Sequence, residues 1–335
     1  MLNEAVIDRA VEQYIAERDR FEKLASAVAR TCTDIIAHGR VRALVSSRTK
    51  RPESLRGKLV RYLNEGRQDK IELLDGPRSV LLHVGDLSAV RVATYAERDR
   101  GRAVDLVRQA FDADKSGSRC RVDIMDRETG YRAVHCQVLL APEILSNPGM
   151  ENLRSTSCEV QVCGMFSHLW NEVEHDIRYK THGADPASDQ EVLDLEELER
   201  VVQSGDAVVD RLNGRHAERV ARLLKGSLAA RGFAESAELE SIAFVMARLG
   251  YETPDSLVGF FARNEFIERN ALERVNQRLA QAGSQAQFPD SKETRLLGAF
   301  LEAHIGELVM MLREEAGDWL PEPIRSAVQD LASMA

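Results

Sequence analysis

Cysteine is scarce in this chain and scattered. The five that occur (Cys32, Cys120, Cys136, Cys158 and Cys163) form no Cys-x-x-Cys pair and stand near no histidine cluster at zinc-ligand spacing, which excludes the common zinc and dithiol motifs. Four of them lie in apolar, strand-like runs and read as buried, reduced thiols. No window reaches the roughly 18 apolar residues of a membrane span, and Met1-Leu2-Asn3-Glu4 opens without a basic stretch or an apolar run of the secretory kind. A cytoplasmic protein with no membrane partner is expected. Repeats of fixed period and low-complexity tracts are also missing. Positive charge is in deficit, with 45 Lys and Arg against 54 Asp and Glu for a net charge of -9. That argues against wholesale coating of nucleic acid and against DNA as a partner, while a local basic face would still grip polyphosphate or an RNA end.

What is present points to two domains. At 335 residues and 44% apolar the chain can bury one large core or two ordinary ones. Residues 4 to 38 carry apolar side chains at helical spacing (Val6, Ala10, Tyr14, Phe21, Leu24, Val28, Ile35) with no Pro or Gly before Gly39, which predicts one long helix or two shorter ones. Residues 41 to 70 then hold nine Lys or Arg against three acids, the strongest basic block of an acidic protein. Leu87 to Tyr95 reads as a strand and Glu97 to Ala113 as a helix. Three strand-like runs follow (Cys120 to Met125, Ala133 to Leu140, Ser157 to Cys163), then a helix over Phe166 to Tyr179. This order describes an α+β domain over residues 1–185, with a mixed sheet flanked by helices. A turn-rich, acidic stretch separates it from residues 190–335, where strand signals vanish and about five helices are expected, with starts at Pro254-Asp255-Ser256 and Pro289-Asp290-Ser291. That C-terminal helical domain carries no chemical motif. Phe260, Phe261, Phe266 and Ile267 read as core packing, and a homo-oligomer through this domain is one open role.

The chemistry gathers in the first domain. Asp86 follows Gly85 at the mouth of one apolar strand, while Glu159 alternates with Cys158 and Val160 on another. If the two strands are neighbours, both carboxylates share one face of the sheet and form an oxygen pair suited to Mg²⁺. Each alone is more commonly a solvated strand-edge acid. Ser54 and Lys58 are four apart on a helix begun by Pro52-Glu53, as a polyphosphate cradle requires, though charge runs are usually solvated faces. Gly130-Tyr131 permits a tight turn presenting an aromatic ring for base stacking. On the helix from Phe166, Trp170, Val173 and Ile177 form the buried stripe, leaving His168, Glu172, His175 and Asp176 on other faces.

Arg48-x-Lys50 with Ser54 and Lys58, Asp86 to Arg91, Gly130-Tyr131-Arg132-Ala133-Val134-His135, Glu159-Val160-Gln161 and Trp170 to Lys180 together resemble, in order and spacing, the RelA/SpoT synthetase domain. The resemblance spans roughly residues 40 to 181 and implies a nucleotidyltransferase-like fold. It implies an ATP-dependent pyrophosphokinase that transfers pyrophosphate from ATP to the ribose 3′-hydroxyl of GDP or GTP, making the alarmone (p)ppGpp. By the same resemblance Arg48 and Arg91 would sandwich the adenine, and Lys50, Ser54 and Lys58 would hold the ATP phosphates. Asp86 would bind Mg²⁺, with Glu159 joining it or acting as general base. Tyr131 would stack on the acceptor base, His135 and Gln161 would lie near its ribose or phosphates, and His175 would stand behind them.

The pair His175-Asp176 superficially resembles that of HD-type hydrolases, but the other ligands such a site requires are missing upstream, so no hydrolase activity is expected. The sequence departs from the family pattern where Val162-Cys163-Gly164 replaces Ile-Arg-Thr and where residues 115 to 129 lack the usual Lys-x-Tyr-x-x-x-Pro-Lys loop. Both departures fall on the acceptor side, so the donor, ATP, is the firmer expectation. Two alternatives stay open at this point. One is a toxic relative, in a toxin-antitoxin or phage-defence role, that modifies an adenine nucleotide or the 3′ end of tRNA, with Arg119, Arg121, Arg127, Arg132 and Arg178 as tRNA-facing candidates. The other is a catalytically silent nucleotide sensor.

Overall fold

The computed structural model describes residues 1–112, 119–125, 132–179, 187–230, 232–233, 237–251, 253, 256, 269–284, 286, 288–314 and 322–333. The chain divides into two compact units, Met1–Asp206 and Ala207–Ala335. The turn-rich stretch expected to separate the domains ends where helix α9 (Asp189–Ala229) begins, and the division falls inside that helix instead. Among the described residues no helix is long and apolar enough to cross a membrane.

The first unit is α+β, as the order of sequence signals required. Helices α1 (Glu4–Ala16) and α2 (Arg18–His38) precede strand β1 (Ala43–Thr49), which the basic block had hidden from sequence reading. Helix α3 (Pro52–Asn64) follows, then the short α4 (Gln68–Leu73) and α5 (Pro77–His83), neither of which was expected. Strand β2 (Ser88–Thr94), α6 (Arg100–Phe111), β3 (Cys120–Ile124), β4 (Val134–Val138), the four-residue α7 (Pro142–Leu145), β5 (Cys158–Gly164) and α8 (Met165–Tyr179) complete the unit before α9. The five strands form one sheet in the order β1-β2-β5-β4-β3. β2 and β5 run parallel and the other neighbours antiparallel, so the sheet is mixed.

Register explains the two faces of this sheet. One row across it reads Ser47, Val90, Val160, Cys136 and Val122, and the next row on the same face reads Val45, Val92, Val162, Val134 and Ile124. That apolar face packs on α2 and α6 through Leu24, Val28, Cys32, Val107 and Phe111. Alternation then forces the intervening residues, most of which are polar, onto the opposite face. All five cysteines are buried and free, and burial pushes the Cys32 thiol up to about 12.

A second cluster packs α1 against α3 and α5 through Ile7, Ala10, Tyr14, Leu55, Leu59 and Val80. From inside it the Tyr14 hydroxyl donates to the Lys50 carbonyl at 2.7 Å, with the Leu87 carbonyl at 3.4 Å. The Lys50 amide donates in turn to Leu87 at 3.0 Å, continuing the β1–β2 ladder one step beyond its last pair, Thr49 with Ser88. This clamp brings the segments that bear Lys50 and Asp86 side by side. Tyr14→Phe is expected to reduce stability by about 1–2 kcal/mol, the usual cost of losing a buried hydrogen bond, as urea denaturation would measure.

The second unit is helical in its described part. The C-terminal half of α9, α10 (Ala237–Arg248), α11 (Arg269–Gln281), α12 (Lys292–Glu314) and α13 (Glu322–Ala332) enclose Leu224, Leu228, Ile242, Met246, Leu272, Phe300 and Val328. The expected start at Pro289-Asp290-Ser291 is present as reciprocal capping, in which the Thr294 amide donates to Ser291 Oγ at 3.1 Å and the Ser291 amide to Thr294 Oγ1 at 2.9 Å. Pro254, Asp255 and the Phe260 to Ile267 stretch lie outside the described residues.

Candidate active site

The polar face of the sheet carries two adjacent rows. One reads Arg48, Ala89, Glu159, Gln137 and Arg121; the other reads Ser46, Arg91, Gln161, His135 and Asp123. Each strand donates one residue to each row because side chains alternate, so a single polar surface collects groups from positions far apart in sequence. Helix α8 packs against β2 and β5 and faces this surface, since its His168 and Glu172 both reach Arg91.

Asp86 lies just before β2 and is enclosed by two lysines. Lys50 Nζ donates to Oδ2 at 2.7 Å, and Lys58 Nζ stands 3.0 Å from Oδ1. The second contact pairs Oδ1 with the Lys58 ammonium, so each Asp86 oxygen faces one lysine. Burial alone would raise the Asp86 pKa, but the charges of Lys58 and Lys50 outweigh it and hold the carboxyl far below the usual range. Lys58 shows the converse: burial pulls its pKa down, and Asp86 more than restores it, leaving a net rise. Lys58 sits one helical turn after Ser54, which is exposed in the first turn of α3.

Because the folded-state pKa of Asp86 is depressed, the stability it contributes is present above its unfolded value, about 3.9, and is lost as pH falls through the folded value. In metal-free protein, the stability gap between wild type and Asp86→Asn is therefore expected to be fully open at pH 7 and to narrow below about pH 4. Urea unfolding of both proteins at pH 7 and pH 3 would measure the gap.

Glu159 stands on the same face, on the strand beside β2. Its Oε1 accepts from Gln161 Nε2 at 2.6 Å and its Oε2 from Gln137 Nε2 at 3.1 Å, with His135 Nδ1 3.4 Å from Oε2. Burial pushes the Glu159 pKa up, but hydrogen bonding and charge at His135 outweigh it, so the net shift is downward even with Asp86 acting in the opposite sense. Gln137 also lies against Gly85, where an added methyl group would come within 2.6 Å of its side-chain oxygen. A single amide thus sits between the residue preceding Asp86 and the carboxylate of Glu159.

The structure therefore brings together Lys50, Lys58 and Asp86 as one group and Glu159, Gln161 and His135 as another, near enough for Asp86 and Lys58 to act electrostatically on Glu159. Arg48 is exposed and occupies the row of Glu159. Arg91 occupies the row of Gln161. His175 is exposed on α8, with Asp176 Oδ1 3.8 Å from its Nδ1. Tyr131 lies outside the described residues. Three groups that sequence reasoning did not assign also belong here: Gln137, two residues from His135 and so on its face, and the α8 pair His168 and Glu172.

The arrangement combines an ionised carboxylate between two ammonium groups with a second carboxylate held by three donors, beside an arginine-lined margin. Oxygen ligands of this kind suit a hard divalent cation, and Asp86 is held by exchangeable lysine ion pairs that a cation with its substrate phosphates could replace. Among the described residues no group of three or more His, Cys, Asp or Glu side chains is placed to hold a metal by itself. A cation here would be held by the two carboxylates together with substrate oxygens, the usual situation for Mg²⁺.

Residues 47–184 match the family described as a region found in RelA / SpoT proteins. Solved structures similar to this chain include the small alarmone synthetase 1 from Bacillus subtilis, at 18% identity and a TM-score of 0.42 over 62% of this chain and 97% of that one. A GTP pyrophosphokinase family protein from Streptococcus pneumoniae is similar at 16% identity and 0.41 over 60% and 92%. The Bacillus subtilis synthetase bound to its product pppGpp is similar at 18% and 0.41 over 61% and 98%. No curated protein matches the chain. The family match covers every residue of the two lysine- and glutamine-bound carboxylate groups, and residues 47–184 of this chain form a region of the kind found in RelA / SpoT proteins.

Proposed function

We propose that this protein transfers the β,γ-pyrophosphate of ATP to the ribose 3′-hydroxyl of GDP or GTP, producing (p)ppGpp, within the nucleotide pool of the cytoplasm. The observation that supports the reading most is the placement of Asp86 between Lys50 and Lys58 and near enough to Glu159 to act on its charge. Phosphoryl-type transfer depends mainly on alignment and on positive charge around the migrating group. Lys50 and Lys58 supply that charge, with Ser54 at the start of α3 adding a hydroxyl donor. On arrival of a polyphosphate the lysines exchange Asp86 for phosphate oxygens, which frees the carboxylate for a cation. Mg²⁺ held by Asp86 and Glu159 would neutralise charge on the phosphate oxygens. Arg48 and Arg91 flank the donor base, and Tyr131 stacks on the acceptor base.

Glu159 is the group placed to take the proton from the attacking hydroxyl. Its depressed pKa makes it a weak base while His135 stands beside it. Gln161 and Gln137 keep the carboxylate oriented throughout.

The test is incubation of the protein with Mg²⁺ and ATP labelled in its γ-phosphate, with GDP, GTP, ATP or tRNA offered separately. Label is expected in guanosine tetraphosphate and pentaphosphate. Label in tRNA or in an adenine nucleotide alone would replace the acceptor, and label in none of the four would overturn the function.

A further inference from the structure

Helix α9 carries two apolar stripes, where a helix packed on one core needs a single one. The inner stripe is buried, with Leu195 and Val202 in the first unit and Val220, Leu224 and Leu228 in the second. The outer stripe is Leu193, Val201, Val208, Leu212 and Leu223, each between 41% and 60% exposed. At 3.6 residues per turn these five fall within about 120° of arc, so they form one face. Charge divides the same arc in two. From Gln190 to Gly205 it bears Asp194 and Glu197 and no base, while from Val208 to Gly226 it bears Arg211, Arg215, Arg219 and Arg222 and no acid. All six of these charged residues are exposed. Asp194 accepts from Gln190 Nε2 at 2.9 Å, and Arg219 lies 2.9 Å from His216 Nδ1, contacts that stay on the surface of the helix itself.

We propose that this face binds a second copy of the chain, with the acidic segment 190–204 of one α9 lying antiparallel along the basic segment 212–226 of the other. The register that sets Glu197 opposite Arg219 of the second copy also brings Leu193 level with Leu223, Asp194 level with Arg222, and Val208 level with itself at the two-fold axis. Arg200 and Glu218, at the edge of the arc and reversed in sign, come close to level in that register and are complementary as well. Two-fold symmetry makes each of these contacts twice. The two segments belong to one uninterrupted helix, with Glu197 and Arg219 about 33 Å apart along it, so they cannot satisfy each other within a chain. A parallel pair would set acid beside acid and arginine beside arginine, which is repulsive. RNA suits the arginine half alone, since Asp194 and Glu197 repel its phosphates and the outer leucines and valines gain nothing from them. The association is independent of the transferase reading, because no residue of the arc belongs to the polyphosphate site.

Sedimentation equilibrium of the full chain, in about 0.1 M salt where contacting charges are little screened, is expected to show a reversible dimer. Glu197→Arg and Arg219→Glu each place like charges at two symmetric contacts, and each is expected to weaken the dimer by about tenfold or more in Kd. The double variant reverses both partners and is expected to return Kd to within about threefold of wild type. An equal mixture of the two single variants is expected to associate as well, since their heterodimer restores opposite charges at both contacts. Such rescue cannot come from a variant that has merely lost its fold. A wild-type chain that stays monomeric to about 100 µM, or a dimer whose Kd neither reversal changes, overturns the inference. A monomer that retains a labelled RNA, and loses it on Arg219→Glu, overturns it too and assigns the basic half to nucleic acid.

Discussion

Glu159→Gln is expected to lower kcat for pyrophosphate transfer by about 10²–10⁴-fold, the range associated with loss of a positioned general base. The substitution preserves shape and removes both the negative charge and the capacity to accept a proton. Its neighbours adapt without much strain, because Gln161 and Gln137 can each present either end of an amide to the new side chain. The KM for ATP should change less than kcat, since the residue is bonded to Gln161, Gln137 and His135 rather than to the lysines. Steady-state kinetics with saturating acceptor separates the two parameters. Unchanged product formation in this variant would remove Glu159 from the mechanism.

Asp86→Asn is expected to lower kcat/KM by about 10²–10³-fold, in the range seen when one preorganised electrostatic partner is removed. It acts differently from the change at Glu159. The neutral amide is a poorer cation ligand, so activity should need more Mg²⁺ for half-saturation. It also leaves Lys50 and Lys58 facing no anion in a largely enclosed site, where breaking a buried pair by removing one partner costs up to about 3–5 kcal/mol. The activity measurement therefore needs a thermal melt beside it, at a temperature where the variant remains folded. Added ATP should stabilise the variant more than wild type in that melt, because its phosphates supply the anion the lysines have lost. A variant with wild-type activity and wild-type Mg²⁺ dependence would contradict the assignment.

Much of this site could be read before any coordinates. The alternations around Glu159 and His135 and the Ser54-to-Lys58 spacing placed their residues on shared faces, and the sheet then joined those faces through its register. β1 escaped because it is a half-buried edge strand in which Leu44 is exposed and only Ala43 and Val45 contribute to the apolar face, while its charged surroundings suggested a solvated segment. α4 and α5 escaped because helices of six and seven residues show too little periodicity to detect. Gln137 was within reach, since strand alternation puts it on the face of His135. Glu172 and His168 were visible only as residues off the buried stripe of α8. Their relation to Arg91 depends on how α8 packs across β2 and β5, which no local pattern encodes. The division at Asp206 was hidden for a similar reason: it lies within a continuous helix and has no turn residues to mark it.

In the proposed reaction one divalent cation is shared by Asp86 and Glu159 beside the phosphates held by Lys50 and Lys58. The most direct measurement is anomalous diffraction from crystals of the full chain grown with Mn²⁺ and a non-hydrolysable ATP analogue. A single strong peak within ligating distance of both carboxylates, with the analogue's phosphates against the two lysines, is the predicted result. A peak bound by neither carboxylate, or phosphates seated away from Lys50 and Lys58, would contradict it.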